Sequence, residues 1–148
     1  MNTLSRRILF AAAGLAALAP TAQAEPSLEL GAILDKYAAA LKAGNVEAIV
    51  GLYAANGSFL APGAKAAVGH EALRAAYKRI FATLKLDLAF DIQEAAKFAE
   101  IGWLRSISKG RTTVLATGKE TTDSFNELVV FQPESGVWKI RSYSYTLA

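Results

Sequence analysis

The strongest constraint on the fold lies near the C-terminus, where two β-rich runs flank a short break that contains Pro and Gly. The first run covers residues 125–131, the break covers 132–136 and the second run covers 137–146. Two such runs separated by turn residues predict an antiparallel hairpin. Because the second run alternates bulky with small or apolar side chains, its two faces must meet different surroundings.

One predicted face of the second run carries Arg141, Tyr143 and Tyr145, and the other carries Trp138 and Ile140. Aromatic hydroxyls beside a cation on one side of a sheet are typical of the wall of a pocket. The same residue types are also favoured in protein interfaces. The face with the two tyrosines is therefore interpreted either as a pocket wall or as a dimer interface.

The first 24 residues are interpreted as a signal peptide. They contain the basic pair Arg6–Arg7, an apolar run over residues 8–18 and an A-x-A cleavage site at 22–24. The apolar run is too short for a membrane-spanning helix, which needs about 20 residues. We expect export to the periplasm or secretion, by the general route or by the twin-arginine route that the basic pair resembles, with no membrane attachment after cleavage.

Composition excludes several kinds of protein. Without Arg6 and Arg7 the chain has 14 basic and 13 acidic residues, a balance that gives no electrostatic basis for binding nucleic acid. The absence of cysteine and the single histidine argue against disulfides and a zinc site, and we expect no metal and no cofactor. Residues 25–148 are long enough, and at 53% hydrophobic residues overall apolar enough, for one domain with its own core.

The N-terminal half of this domain has helical patterns. Apolar residues recur at helical spacing from Leu30 to Leu41, a stripe that includes Tyr37, and Gly44 ends the pattern. Asn45 is predicted to cap a short second helix, on whose apolar side Tyr53 is expected. Short strands are predicted at 58–61 and 66–68, followed by a third helix over residues 69–85.

The remaining residues have strand patterns. Residues 86–93 alternate apolar with polar side chains, and residues 98–108 and 111–117 predict one long bent strand or two. A loop is expected over residues 118–124, before the hairpin. Helices gathered at one end of an antiparallel sheet define an α+β domain.

Four segments carry a resemblance to a known superfamily. They are YAAALKAGN at 37–45, LYA at 52–54, VGHEALR at 68–74 and GVWKI at 136–140. Together they resemble the nuclear transport factor 2-like superfamily, in its SnoaL-like and ketosteroid-isomerase-like branches. The resemblance covers residues 27–146 and implies a cone, in which a curved antiparallel sheet wraps around three N-terminal helices. Such cones are often homodimers through the outer face of the sheet.

The resemblance also indicates which residues an isomerase mechanism would need. Ketosteroid isomerases use a carboxylate base together with a tyrosine and a protonated aspartate that bind the developing oxyanion. Tyr37 matches the tyrosine, Ala61 stands at the position of the base, and Asn126 or Glu127 falls at the third position. Because alanine cannot accept a proton, this mechanism is excluded unless another carboxylate replaces the base.

Arg105 shares a predicted strand face with Trp103 and Ile107. If that face is concave, Arg105 is a partly buried cation that must be paired or must bind an anion. Pairing with Glu127 on the neighbouring strand would be structural, whereas an unpaired Arg105 would contact a ligand. Both interpretations stay open.

The sequence therefore predicts an exported domain that binds a small hydrophobic or aromatic molecule in an apolar, aromatic-lined pocket. One alternative is a cofactor-independent isomerase or cyclase that acts on a carbonyl-containing hydrophobic substrate, with Glu127, Arg105 and Tyr37 as the best catalytic candidates. A second alternative is a dimeric interaction module. The predicted ligand-binding residues are Tyr37, Tyr53, Trp103, Arg105, Glu127, Arg141, Tyr143 and Tyr145.

Overall fold

The computed structural model describes residues 28–148, so the predicted signal peptide lies outside the described residues. Within them the element order confirms the α+β prediction. No helix in this range is long and apolar enough to cross a membrane. The elements are α1 Leu28–Ala43, α2 Val46–Val50, β1 Tyr53–Leu60, β2 Ala67–Val68, α3 Gly69–Thr83, β3 Leu84–Lys97, β4 Gly102–Val114, β5 Lys119–Glu134 and β6 Val137–Leu147.

Local signals set the first two helices, as predicted. Gly44 has a φ of 64° and ends α1 in the left-handed conformation that favours glycine. Oδ1 of Asn45 then accepts a hydrogen bond from the backbone N–H of Ala48 at 3.0 Å and caps α2. The predicted apolar stripe of α1, which includes Tyr37, is buried.

Tyr53 begins β1 and does not lie on α2, so its predicted helical position is wrong. Strand β1 contains an irregularity, because its pairing with β6 shifts between Tyr53 and Ser58. Gly57 is needed there because a Cβ atom would lie 2.9 Å from the carbonyl oxygens of Ala54 and Ile140. Glycine is the residue that tolerates so close an approach of backbone.

The six strands form one sheet in the order β2-β1-β6-β5-β4-β3. The β1–β6 pair is parallel and the other pairs are antiparallel. One face of this sheet, called the inner face, packs against α1 and α3 and carries the fully buried Leu104, Val129, Phe131 and Ile140. The opposite face is called the outer face. The sheet is curved and does not close, which confirms the predicted cone.

The C-terminal hairpin is confirmed, with a shorter connection than predicted. Strands β5 and β6 reach to Glu134 and Val137, which leaves a two-residue turn at Ser135 and Gly136. Both turn residues have positive φ, 51° and 78°. This is the type I′ geometry that matches the twist of a hairpin.

Of the two alternatives for residues 98–117, one continuous strand is observed, whereas the predicted loop at 118–124 is wrong. Strand β4 continues through Gly110, where a side chain would collide with the carbonyl oxygen of Asp87 on β3. Glycine at this position therefore lets β3 approach closely and does not interrupt the strand. The predicted loop at 118–124 is the first part of β5, because the turn between the strands covers only residues 115–118.

A bulge in β6 changes which of its residues face inward. Val130 lies opposite Ser142 and Phe131 lies opposite Ile140, so Arg141 is an extra, unopposed residue. Ile140 and Tyr143 are consequently both buried on the inner face. The predicted face that combined Arg141 with Tyr143 and Tyr145 is therefore wrong at Arg141.

Candidate functional site

A cavity of about 300 Å³ lies between the inner face of the sheet and helices α1 and α3. This volume is at the lower end of the range for small-molecule sites. Most of the wall is apolar and consists of Leu, Ile and Phe side chains. The polar or hydroxyl-bearing residues on the wall are Tyr37, Tyr77, Thr112, Asp123, Glu127, Tyr143 and Tyr145.

Glu127 is the buried carboxyl of this cavity, with 4% of its surface exposed. Its Oε2 accepts a hydrogen bond from Oγ of Ser106 at 2.6 Å. Its Oε1 accepts two more, from Oγ of Ser108 at 2.7 Å and from the hydroxyl of Tyr143 at 2.8 Å. Burial raises the pKa of Glu127, while the three hydroxyl donors act in the opposite direction and favour the ionised form.

Strand register places these four groups together. Ser106 on β4 and Tyr145 on β6 are the direct partners of Glu127 on β5. Ser108 and Tyr143 are each two residues away from those partners and therefore share the inner face with them. The choice that the sequence left open is settled by this register, because Glu127 points inward and Asn126 is exposed.

Three tyrosine hydroxyls form a second hydrogen-bonded group, which connects α1, α3 and β1. The hydroxyl of Tyr77 lies 2.8 Å from the hydroxyl of Tyr37 and 2.8 Å from that of Tyr53. The ring of Tyr37 also contacts that of Tyr143, with centroids 4.9 Å apart. Burial raises the pKa of Tyr37, Tyr53 and Tyr77, so these residues are neutral hydrogen-bonding groups at physiological pH.

The chemistry of the cavity is set by one deep carboxyl among neutral hydroxyls. Among the described residues that line it, none is Lys, Arg or His. Within residues 28–148, no three side chains of the metal-ligating types come together. The site can therefore accept a hydrogen bond or a proton from a ligand at Glu127.

The predicted Arg105–Glu127 pair is wrong. Arg105 is adjacent to Ser106, which lies opposite Glu127 on the inner face, so the side chain of Arg105 projects from the outer face of the sheet. There its Nη2 lies 3.3 Å from Oε2 of Glu94, and 57% of the side chain is exposed. Trp103 shares this outer face with Arg105, and neither residue lines the cavity.

The other predicted site residues divide into two groups. Tyr37, Glu127, Tyr143 and Tyr145 line the cavity. Tyr53 does not line the cavity, but its hydroxyl is hydrogen-bonded to that of the lining residue Tyr77. Arg141 does not line the cavity either, and its Nη1 donates to the carbonyl oxygen of Asn56 at 2.9 Å. Ala61 lines a separate surface groove with Lys65 and Arg79.

Sequence reasoning did not identify Ser106, Ser108 and Tyr77 as site residues. The two serines alternate on one strand with the apolar Ile107, a pattern that marks a polar stripe once the strand's inner face is known. Tyr77 lies within the predicted third helix. Its hydroxyl was the available signal, because a buried tyrosine hydroxyl needs a partner.

The cone and its inner cavity define a protein of the nuclear transport factor 2-like superfamily. The SnoaL-like domain family matches residues 34–137, and the chain belongs to this family. No match was found among curated proteins.

Solved structures with the same fold carry several functional descriptions. A ketosteroid isomerase-like protein from Erwinia carotovora atroseptica is 28% identical, with a TM-score of 0.77 over 80% of this chain and 93% of that one. A proposed dehydratase from Streptomyces avermitilis is 14% identical, with a TM-score of 0.70 over 81% and 94%. A proposed aromatic ring hydroxylase from Novosphingobium aromaticivorans is 17% identical, with a TM-score of 0.70 over 81% and 87%. The last two comparisons show the fold alone.

The raised pKa of Glu127 predicts a specific pH dependence of stability. Because the folded protein holds this proton more tightly than the unfolded chain does, its contribution to stability is present below about pH 4 and is lost as pH rises through the raised pKa. The free energy of unfolding of the wild type, relative to Glu127→Gln, should therefore decrease with rising pH. Urea denaturation of both proteins between about pH 4 and pH 8 measures this difference.

The matched control is Glu100→Gln, which changes an exposed carboxyl in the β3–β4 connection. This variant should follow the wild-type curve. A wild-type advantage over Glu127→Gln that grows with rising pH would contradict the account, since it would mean that the three hydroxyl donors lower the pKa of Glu127 overall.

Proposed function

We propose that the inner cavity binds a small hydrophobic molecule that carries a hydrogen-bond donor. The observation that carries this proposal is the buried carboxyl of Glu127 on the wall of a mostly apolar cavity. A carboxylate has about four lone-pair sites, and three hydrogen bonds from protein hydroxyls occupy part of this capacity. A ligand hydroxyl is the group that complements the remaining capacity.

Two features of the cavity support ligand binding over a purely structural interaction module. An interaction module would be expected to fill the cone with its own side chains, whereas about 300 Å³ is left open here. The aromatic rings of Phe59, Phe125 and Tyr145 lie on the wall and offer flat contact surfaces to an aromatic or aliphatic molecule. An anionic head group is disfavoured, because it would meet Glu127 without a compensating cation.

A substitution that fills the cavity tests this proposal. Leu88 on β3 lines the cavity, and its neighbour Ala89 is exposed on the opposite face of the same strand. We expect Leu88→Trp to weaken binding of 4-hexylphenol at least tenfold, because the indole would occupy ligand space. The matched control Ala89→Trp should bind as the wild type does. Isothermal titration calorimetry measures the affinities, and circular dichroism checks that each variant is folded.

The proposal fails if folded Leu88→Trp binds 4-hexylphenol with wild-type affinity, or if the wild type does not bind it. Native mass spectrometry of the purified wild type extends the test, because a co-purified molecule appears as added mass and identifies the class of ligand. The same added mass should be missing from Leu88→Trp.

A second candidate function is proton transfer next to a carbonyl group. It is favoured by one observation: burial raises the pKa of Glu127, and bases of this kind work best when their pKa approaches the operating pH. Glu127 would take a proton from the carbon beside the carbonyl, and a neutral tyrosine hydroxyl would hydrogen-bond the enolate oxygen. Tyr37 on the cavity wall is the hydroxyl available for that role, because Tyr143 already donates its proton to Glu127.

Hydrogen exchange of a small ketone tests this second function. In D₂O, 2-tetralone should exchange its α-protons faster with wild-type protein than with Glu127→Gln, by about 100-fold or more. Proton NMR follows the loss of signal, and Glu100→Gln is the matched control. Equal exchange rates for the wild type and Glu127→Gln would leave ligand binding as the function of the cavity.

Export and self-association belong to the same proposal. The N-terminal pattern of basic, apolar and A-x-A segments supports export. The outer face supports a homodimer, because Leu128 is 45% exposed there and Ile107 is only half-buried, so that pairing of two sheets would cover apolar surface.

A further inference from the structure

We propose that the cavity has a second polar subsite, formed by Thr112 and Asp123, which takes a hydroxyl or ammonium group at the far end of the ligand. The inference rests on the proposed binding function and adds the chemical class of the ligand. That class is an elongated hydrophobic molecule with a hydrogen-bond donor at each end. The subsite lies further along β4 and β5 than Glu127, toward the turn that joins these strands.

Thr112 provides the first observation. Its side chain forms part of the cavity wall, only 8% of the residue is exposed, and its Oγ1 has no hydrogen-bond partner among the described residues. Buried polar side-chain atoms in proteins nearly always have a partner. A polar group of a bound molecule is the partner that this position on the wall would admit.

Asp123 provides the second observation. It lies on β5 two residues from Thr121, the direct cross-strand partner of Thr112, so the three side chains share the inner face. Oγ1 of Thr121 donates to Oδ2 of Asp123 at 3.0 Å, and no described group donates to Oδ1. Gly110, the residue opposite Asp123, has no side chain. The carboxylate therefore keeps an acceptor oxygen on the same face of the sheet as the unpaired threonine hydroxyl, diagonally across the β4–β5 pair.

Charge decides which ligand group the subsite accepts. Two carboxyl groups, Asp123 and Glu127, line the cavity, and no described lining residue is Lys, Arg or His. A ligand carboxylate would meet like charge at both ends. A ligand hydroxyl can donate to Oδ1 of Asp123 while it accepts from Oγ1 of Thr112. An ammonium group can donate to both of these oxygen atoms.

Spacing sets the length of the ligand. Asp123 and Glu127 are four residues apart on one strand, which corresponds to about 14 Å at about 3.4 Å per residue. A phenol with a six-carbon chain spans a similar distance. Its phenolic hydroxyl would bind at Glu127 and its chain end would lie at Thr112 and Asp123.

Four matched phenols test the subsite on the whole protein. They are 4-hexylphenol, 4-(6-hydroxyhexyl)phenol, 4-(6-aminohexyl)phenol and 6-(4-hydroxyphenyl)hexanoate. By titration calorimetry we expect the hydroxyl-ended or the amine-ended compound to bind about tenfold tighter than the methyl-ended one, as for one good added hydrogen bond. The carboxylate should bind more weakly than the methyl-ended compound.

Substitutions assign the gain to the two residues. Thr112→Val keeps the shape of the side chain and removes its hydroxyl, so within this variant the hydroxyl-ended phenol should bind little more tightly than 4-hexylphenol, and most of the tenfold gain should be lost. Thr113→Val is the matched control, because Thr113 is paired with the exposed Glu120 and does not line the cavity. Asp123→Asn distinguishes a ligand hydroxyl from a ligand ammonium group. Because it removes the negative charge, it should weaken binding of the amine-ended compound more than binding of the hydroxyl-ended one.

Two results would overturn the subsite and leave the proposed function intact. The first is equal affinity of the wild type for the methyl-, hydroxyl- and amine-ended phenols. The second is a full gain retained by folded Thr112→Val. Failure of the wild type to bind 4-hexylphenol would instead overturn the proposed function and the subsite together. Urea denaturation checks folding, and Thr112→Val should be at least as stable as the wild type because it removes an unpaired buried hydroxyl.

Discussion

A buried carboxyl held by three hydroxyl groups is the interaction on which the site depends. An ionised carboxylate in apolar surroundings is costly unless hydrogen bonds replace the lost water. For Glu127 those bonds come from β4 and β6, the two strands that flank β5. The site therefore requires the correct register of β4, β5 and β6 relative to one another. The bulge at Arg141 places Tyr143 on the inner face, where it contacts the carboxyl group.

The rest of the cavity follows from this arrangement. The hydroxyls of Tyr37, Tyr53 and Tyr77 connect the helices to β1 by hydrogen bonds, so the polar side of the cavity is fixed from both layers of the fold. The remaining wall is mostly apolar, so burial of carbon would be the main source of affinity in the proposed binding function. Polar groups at two separate places would then orient the ligand.

Local features could be predicted from the sequence, whereas strand phase could not. Only a few neighbouring residues determine the cap at Asn45, the helix end at Gly44 and the C-terminal hairpin. The four segments that resemble the nuclear transport factor 2-like superfamily indicated the cone. Whether Glu127 or Asn126 faces inward depends on register, where one step exchanges the two faces. The assignment of Arg105 failed for this reason, and that of Arg141 failed because a bulge leaves no periodic signal.

The most direct test of the account observes Glu127 while a ligand binds. In protein with ¹³C-labelled carboxyl groups, NMR during a titration with 4-hexylphenol should shift the Glu127 side-chain signal, with the same dissociation constant as calorimetry gives. The signal of the exposed Glu100 should not change. Binding of the phenol without any change at Glu127, or no binding, would contradict the central claim that this cavity recognises its ligand through the buried carboxyl.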